Sequence, residues 1–199
     1  MAFVWTPDLL CRVRDYPHLL GHMVGKTKLT ELHSDWIKLV WDTQPGKHFS
    51  LMSHRGAYKT TAITEMGIIY HLLFHPSDRI ALIRETYTEA AKTLDTIKKY
   101  MESPALKSLF AFAHHKEPFA VRSPEGSVLY SFKRTVTKEN SIDAYGINQV
   151  PTGSHYDRIL CDDIVTINSC LSRACRERVK QGVLEIVTNI IDPGKSCYF

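Results

Sequence analysis

An α/β fold, with a central, mostly parallel β-sheet flanked by helices, is what this 199-residue chain predicts, on three observations. An apolar run breaks into Arg55-Gly-Ala-Tyr-Lys59-Thr-Thr61, and a helical pattern follows. Farther along, Arg158-Ile-Leu-Cys-Asp162-Asp163 reads as a short buried strand ending in two carboxylates. Between the two, strands and helices alternate, as parallel strands require because each crossover carries a helix.

Residues 1–28 mix apolar positions with Pro17, Gly21 and Gly25 and give a weak helical signal, so they are set apart as an N-terminal segment ahead of a domain over 29–199. From Leu29, the positions Leu32, Trp36, Leu39 and Val40 recur at helical spacing until Gln44-Pro45-Gly46 stops them. Trp36 and Trp41 fit either of two uses, packing on the sheet or covering an adenine ring. A strand from Phe49 then delivers the backbone to the Lys59 loop. Beyond it, Ile63, Met66, Tyr70 and Leu73 mark a helix to about His75, with Gly67 allowing close approach to the sheet.

Pro76-Ser77-Asp78 turns the chain into a buried strand over 79–84, and Thr88 is the expected cap of a helix through Met101 that Ser103-Pro104 ends. Val121, Val128, Tyr130 and Phe132 alternate around Pro124-Glu125-Gly126 as in a hairpin, and 142–146 reads as one more strand. After the Asp pair, Leu171, Cys175, Val179, Val183, Ile186 and Ile190 share one helical face, with Arg173, Arg176 and Lys180 elsewhere. Asp192-Pro193-Gly194-Lys195 reads as a turn and 196–199 as the start of a last strand, on which the chain stops, as a piece of a longer protein would.

The five cysteines, odd in number and without a C-x-x-C pair, argue against a disulfide framework or a zinc ribbon. No run is long enough for a membrane span, and Asp8, Arg12 and Arg14 break up the first apolar pattern, so no signal peptide is expected and a reducing, cytoplasmic setting is. A net charge of +4 and an isoelectric point near 8.8 are compatible with an acidic partner such as nucleic acid, and with many proteins that have none.

The chemistry lies in the two motifs. Backbone N–H groups at a helix start, a Lys and a Thr hydroxyl are what a nucleotide-phosphate cradle is made of, and Ser53, His54, Arg55, Gly56, Ala57, Tyr58, Lys59, Thr60 and Thr61 form the candidate here. Ser53 and Tyr58 stand where the strict pattern has glycines, and a plain Lys-containing loop is the alternative. Ligands of open parallel sheets sit beyond the carboxyl ends of the strands, so Lys59 and the Asp pair could meet at one edge. Asp162 and Thr60 would then hold Mg²⁺, and Asp163 would orient or deprotonate the attacking water. Otherwise the two Asp residues simply cap the helix that follows.

In order along the chain, HSDWIKLVWD, SHRGAYKTT, RIALIRETYTEAAKTLDTIKKYMES, TGSHYDRILCDDIV, LSRACRER and DPGKSCYF resemble the ATPase domain of the phage terminase large subunit, the motor that packages viral DNA, from about Leu29 to the end. The resemblance implies a P-loop NTPase of the ASCE type that hydrolyses ATP with Mg²⁺. It gives Lys59 and Thr60 phosphate and Mg²⁺, Asp162 the metal, Asp163 the water and Arg55 the γ-phosphate. It also implies partners: double-stranded DNA, the portal protein, the small terminase subunit and a homo-oligomeric ring in the cytoplasm of an infected host cell. Arg134 and Arg158 are the candidates for an arginine given to a neighbour in that ring. The family's coupling motif and nuclease domain do not occur in the sequence, so nucleotide binding is expected to exceed turnover and DNA cleavage is not expected. A helicase-like or repair ATPase, or a non-hydrolysing nucleotide-binding scaffold, are the alternatives.

Overall fold

The computed structural model describes residues 5–43, 47, 50–115, 121–122, 127–130, 139–149, 153–166 and 170–198. The N-terminal segment holds two helices rather than a weak signal: α1 (Pro7–Asp15), capped by the Thr6 side chain with Pro7 in the first turn, and α2 (His18–Met23). Next is α3 (Glu31–Trp41), closed at its start by Thr30 and His33 bonding each other's backbone N–H. The chain then runs without strand structure through 50–58. The strand expected from Phe49 begins outside the described residues, and the described remainder does not pair. Gln44-Pro45-Gly46 also lies outside them.

A helix from Thr60 has a π-wound first part (Thr60–Met66) and continues as α4 (Gly67–Phe74). The cause is one intruding donor. The Trp41 indole N–H donates to the Ile63 carbonyl at 2.9 Å, which an α-helix would reserve for Gly67 N–H, and Gly67 N–H goes to the carbonyls of Ala62 and Thr64 instead. Gly67 therefore makes room for Trp41 rather than for the sheet: a Cβ there would lie 2.0 Å from Trp41 Nε1. Trp41 itself is buried against the rings of His71 and Tyr198, which settles its use as packing.

The rest is β1 (Ile80–Arg84), α5 (Tyr87–Met101), α6 (Pro104–His114), β2 (Val121–Arg122), β3 (Ser127–Tyr130), β4 (Ile142–Gly146), β5 (Tyr156–Cys161), α7 (Arg173–Glu185), which passes through a second π-wound turn (Ile186–Ile190), and β6 (Ile191–Tyr198). Thr86, not Thr88, caps α5 by accepting from Glu89 N–H. The expected turn at Asp192–Lys195 is an irregularity within β6, where Tyr156 pairs with Ile191 but Arg158 already pairs with Ser196.

The strands form one sheet in the order β2-β3-β4-β1-β5-β6; β4, β1, β5 and β6 are parallel, and β3 and β2 add an antiparallel edge. Alternation sorts the side chains into two cores. Ile80, Leu82, Ile142, Leu160 and Tyr198 pack with α3 to α6, while Ala81, Ile83, Ile159, Cys161 and Cys197 pack with Val179 of α7 and Ile186 beyond it. At the amino ends of the strands Arg79 Nε donates to Asp157 Oδ2 at 2.8 Å, and Lys195 lies 3.2 Å from the other carboxylate oxygen. Burial opposes the Asp157 charge, but these bonds outweigh it and hold the carboxyl down at about 2, so the clamp persists into acid. The carboxyl ends are tied in turn by Asp162 N–H to the Ile83 carbonyl and Ile147 N–H to the Arg84 carbonyl, which fixes a common edge there.

Candidate functional site

That edge carries the site. The loop from Ser53 to Lys59 bends through two residues of positive φ, Gly56 at 84° and Tyr58 at 53°. Tyr58 thus adopts the left-handed turn that glycine would make in the strict pattern, at a strain of about 1 kcal/mol for a residue with a Cβ. Its ring is partly exposed beneath the Lys28 ammonium, 5.8 Å from the centroid. From behind, α3 fastens the loop. His33 Nδ1 accepts from Thr30 N–H at 3.0 Å, so the ring proton sits on Nε2, which donates to the Ala57 carbonyl at 3.1 Å.

The loop ends at Lys59, with Thr60 opening the π-wound turn, and both reach the end of β5. The Thr60 hydroxyl donates to Asp162 Oδ1 at 3.4 Å, and Lys59 Nζ lies 3.8 Å from Asp163 Oδ1. So the two motifs meet, although no described strand precedes the loop. Asp162 is 5% exposed and Asp163 turns outward on a left-handed backbone (φ 50°), which lets adjacent residues aim their carboxylates differently. Burial pushes the Asp162 carboxyl up, with Asp163 adding to the rise, while Arg84, Thr60 and Lys59 pull it back. Neither Asp caps a described helix; α7 begins only at Arg173, and Ser172 caps it.

Ser53 Oγ, Glu65 Oε2 and Asp162 Oδ2 are buried with no hydrogen-bond partner among the described residues, and all three belong to this loop, its helix or the acidic strand end. Such orphans mark where a polar ligand, ion or water belongs. A hydroxyl beside a carboxylate with a free lone pair suits a hard cation that keeps most of its waters, as Mg²⁺ does. Among the described residues no group of three or more His, Cys, Asp or Glu is placed to hold a metal, so such a cation would need phosphate oxygens as well. A cavity of about 410 Å³ opens here, with Lys59, Asp162 and Asp163 at its polar end and Val40, Ile63 and Tyr198 in its apolar wall.

His54 and Arg55 are exposed on the loop. Of the two arginines expected to serve a neighbour, Arg134 lies outside the described residues. Arg158 is a correction: it is 8% exposed at the amino end of β5, opposite Ile80 and away from the site, with Nη1 donating to the Tyr198 hydroxyl at 2.6 Å. A guanidinium buried in its own sheet is not offered to another subunit.

Sequence reasoning missed two groups, His33 and Arg84. Arg84 ends β1 as Asp162 follows β5, and its guanidinium faces both acidic residues. The rule that pointed to the Asp pair, that ligands gather beyond strand ends, applies equally to it. Two histidine pairs at i, i+4 spacing, His18–His22 and His71–His75, make ring contacts with each other. Burial holds His71 down at about 4, so it donates to Asp78 as a neutral ring at 2.9 Å.

No family model matches this chain, and no curated protein matches its sequence.

Proposed function

We propose that the chain is a P-loop NTPase domain of the ASCE type that binds ATP with Mg²⁺ and hydrolyses it, and that it is the motor domain of a terminase large subunit driving double-stranded DNA into a procapsid. The observation that carries the reading is the meeting of Lys59 and Thr60 with Asp162 and Asp163 at the carboxyl edge of a parallel sheet. The DNA, the portal protein, the small subunit and the ring rest on the resemblance of the motifs.

In this reading the N–H groups at the start of the helix and the Lys59 ammonium hold the β- and γ-phosphates. Thr60 and Asp162 would hold Mg²⁺, which when bound neutralises charge on the phosphate oxygens. Asp163 orients the attacking water and takes its proton, and Arg55, exposed on the loop, reaches the γ-phosphate. His33 keeps the loop in place by holding the Ala57 carbonyl.

The test is calorimetric titration with ATP, with and without Mg²⁺, followed by hydrolysis assays across a range of double-stranded DNA concentrations. Mg²⁺-dependent binding and DNA-stimulated hydrolysis are expected. Binding without hydrolysis at any DNA concentration identifies a scaffold. Hydrolysis indifferent to DNA removes the motor and leaves an ATPase.

A further inference from the structure

His33 does more than fasten the loop. The Ala57 carbonyl and the Tyr58 N–H belong to one trans peptide and point opposite ways. His33 draws the carbonyl back to α3, with Nε2 donating to it at 3.1 Å, so the Tyr58 N–H points away from α3. The same setting puts Tyr58 in the left-handed region, at φ 53°, which a residue with a Cβ enters only at a cost. Turning this one peptide over would bring Tyr58 to ordinary extended backbone and aim its N–H at α3 instead. The next peptide is not movable in this way, because the Tyr58 carbonyl accepts from Ala62 N–H at 2.8 Å as the helix begins.

We propose that His33 is a positioning residue that holds the Ala57–Tyr58 peptide against the strain at Tyr58, so that the Tyr58 N–H faces the phosphates. This rests on the cradle reading and adds to it the means by which the loop works with tyrosine in a glycine's place. The opposing effects are of similar size: a neutral hydrogen bond and one left-handed residue are each worth about fivefold in an equilibrium. Removing the hydrogen bond therefore leaves the strain to turn the peptide over. Glycine enters the left-handed region without that cost and would need no such hold. The His33 ring is rigid enough for the task. It is 7% exposed, meets Trp36 edge-on with centroids 5.3 Å apart, and accepts from Thr30 N–H on Nδ1 at 3.0 Å, so the Nε2 proton has one direction.

The measurement is a double-variant cycle read by calorimetry with Mg·ATP and with metal-free pyrophosphate. His33→Phe keeps a ring and drops the donor, and it should weaken both ligands about three- to tenfold, because a backbone N–H serves the phosphate chain and not the base. His33→Gln should recover most of this loss, since one amide can accept from Thr30 N–H and donate to the Ala57 carbonyl. In a Tyr58→Gly background the loss from His33→Phe should shrink to within about twofold, because the strain it unleashes is gone. The urea midpoint is the control. The cap lost at Thr30 lowers it in either background, so stability should fall without affinity when Tyr58→Gly accompanies His33→Phe.

An equal loss of affinity with Tyr58 present and with Tyr58→Gly would mean that His33 supports the loop as a whole, and the hold on this peptide is overturned while the cradle stands. A loss from His33→Gln as large as that from His33→Phe overturns it as well. If the chain binds neither pyrophosphate nor ATP, or binds them equally well after Lys59→Ala, cradle and hold fall together. Should His33→Phe not fold, His33→Asn, too short to reach Ala57 yet able to accept from Thr30 N–H, gives the same cycle. A loss there that Tyr58→Gly leaves unchanged sinks the hold too.

Discussion

Lys59→Ala should weaken ATP binding by about 2–3 kcal/mol, roughly 30- to 150-fold in Kd, the worth of one charge-assisted contact in a partly dry site. Lys59 is about a third exposed, and its present partner is a half-exposed carboxylate 3.8 Å away, so little is lost when it turns to phosphate. The effect should fall on the affinity for triphosphate, diphosphate and pyrophosphate alike, because the ammonium serves the phosphate chain and not the base. Thermal stability should change little, since no described ion pair of Lys59 other than the weak one to Asp163 is removed. Calorimetry with the three ligands decides: equal affinities in wild type and variant would remove phosphate binding from this loop, whatever the role of the Asp pair.

Gly67→Ala is the stability counterpart. The new methyl would lie 2.0 Å from Trp41 Nε1 and 2.6 Å from its Cδ1, and Trp41 cannot step aside. The indole is 1% exposed, hydrogen-bonded to Ile63 and packed against His71 and Tyr198. Overpacking together with a strained or lost hydrogen bond should cost about 2–4 kcal/mol. The melting temperature should fall on the order of 5–15 °C for a domain of this size. Urea unfolding reads the same loss as a lower midpoint at constant slope. Because Trp41 imposes the π winding that starts at Thr60, the variant should also loosen the Thr60–Asp162 contact, and nucleotide affinity should drop with stability. A variant as stable as wild type would show that Trp41 does not occupy this place.

The sequence made Lys59 and the Asp pair legible because charged residues at the end of an apolar run have few structural uses, and the edge geometry of parallel sheets does the rest. It hid Arg84 for a different reason. An Arg closing a strand is ordinary, and only the tertiary pairing of β1 beside β5 turns it toward Asp163. His33 was hidden likewise, as a polar residue in the first turn of a helix whose bond to Ala57 spans a loop. Thr88 was chosen as a cap where Thr86 serves, although Thr86-x-x-Glu89 is itself the capping spacing. Asp192-Pro193-Gly194 carries turn chemistry, but β5 pairs on either side of it and absorbs the extra residues as an irregularity in the strand. Local preference yields there to the sheet.

The two-faced sheet has a kinetic consequence. Helices α3 to α6 share one face, but among the described residues α7 and its π-wound extension cover the other, and within α7 only Val179 and Gly182 are buried. Beneath this cover lie the thiols of Cys161 and Cys197, both shielded from solvent, whereas Cys11 and Cys170 are exposed. A hydrogen bond to Cys197 and burial hold the Cys161 thiol well above its ordinary range, so it is unreactive while covered. Alkylation under native conditions should therefore run in separate phases, with the exposed thiols consumed first. If the buried pair then reacts faster than the whole domain unfolds, the slow phase counts the times per hour that one helix lifts from the sheet, and the chain carries its own clock for that motion.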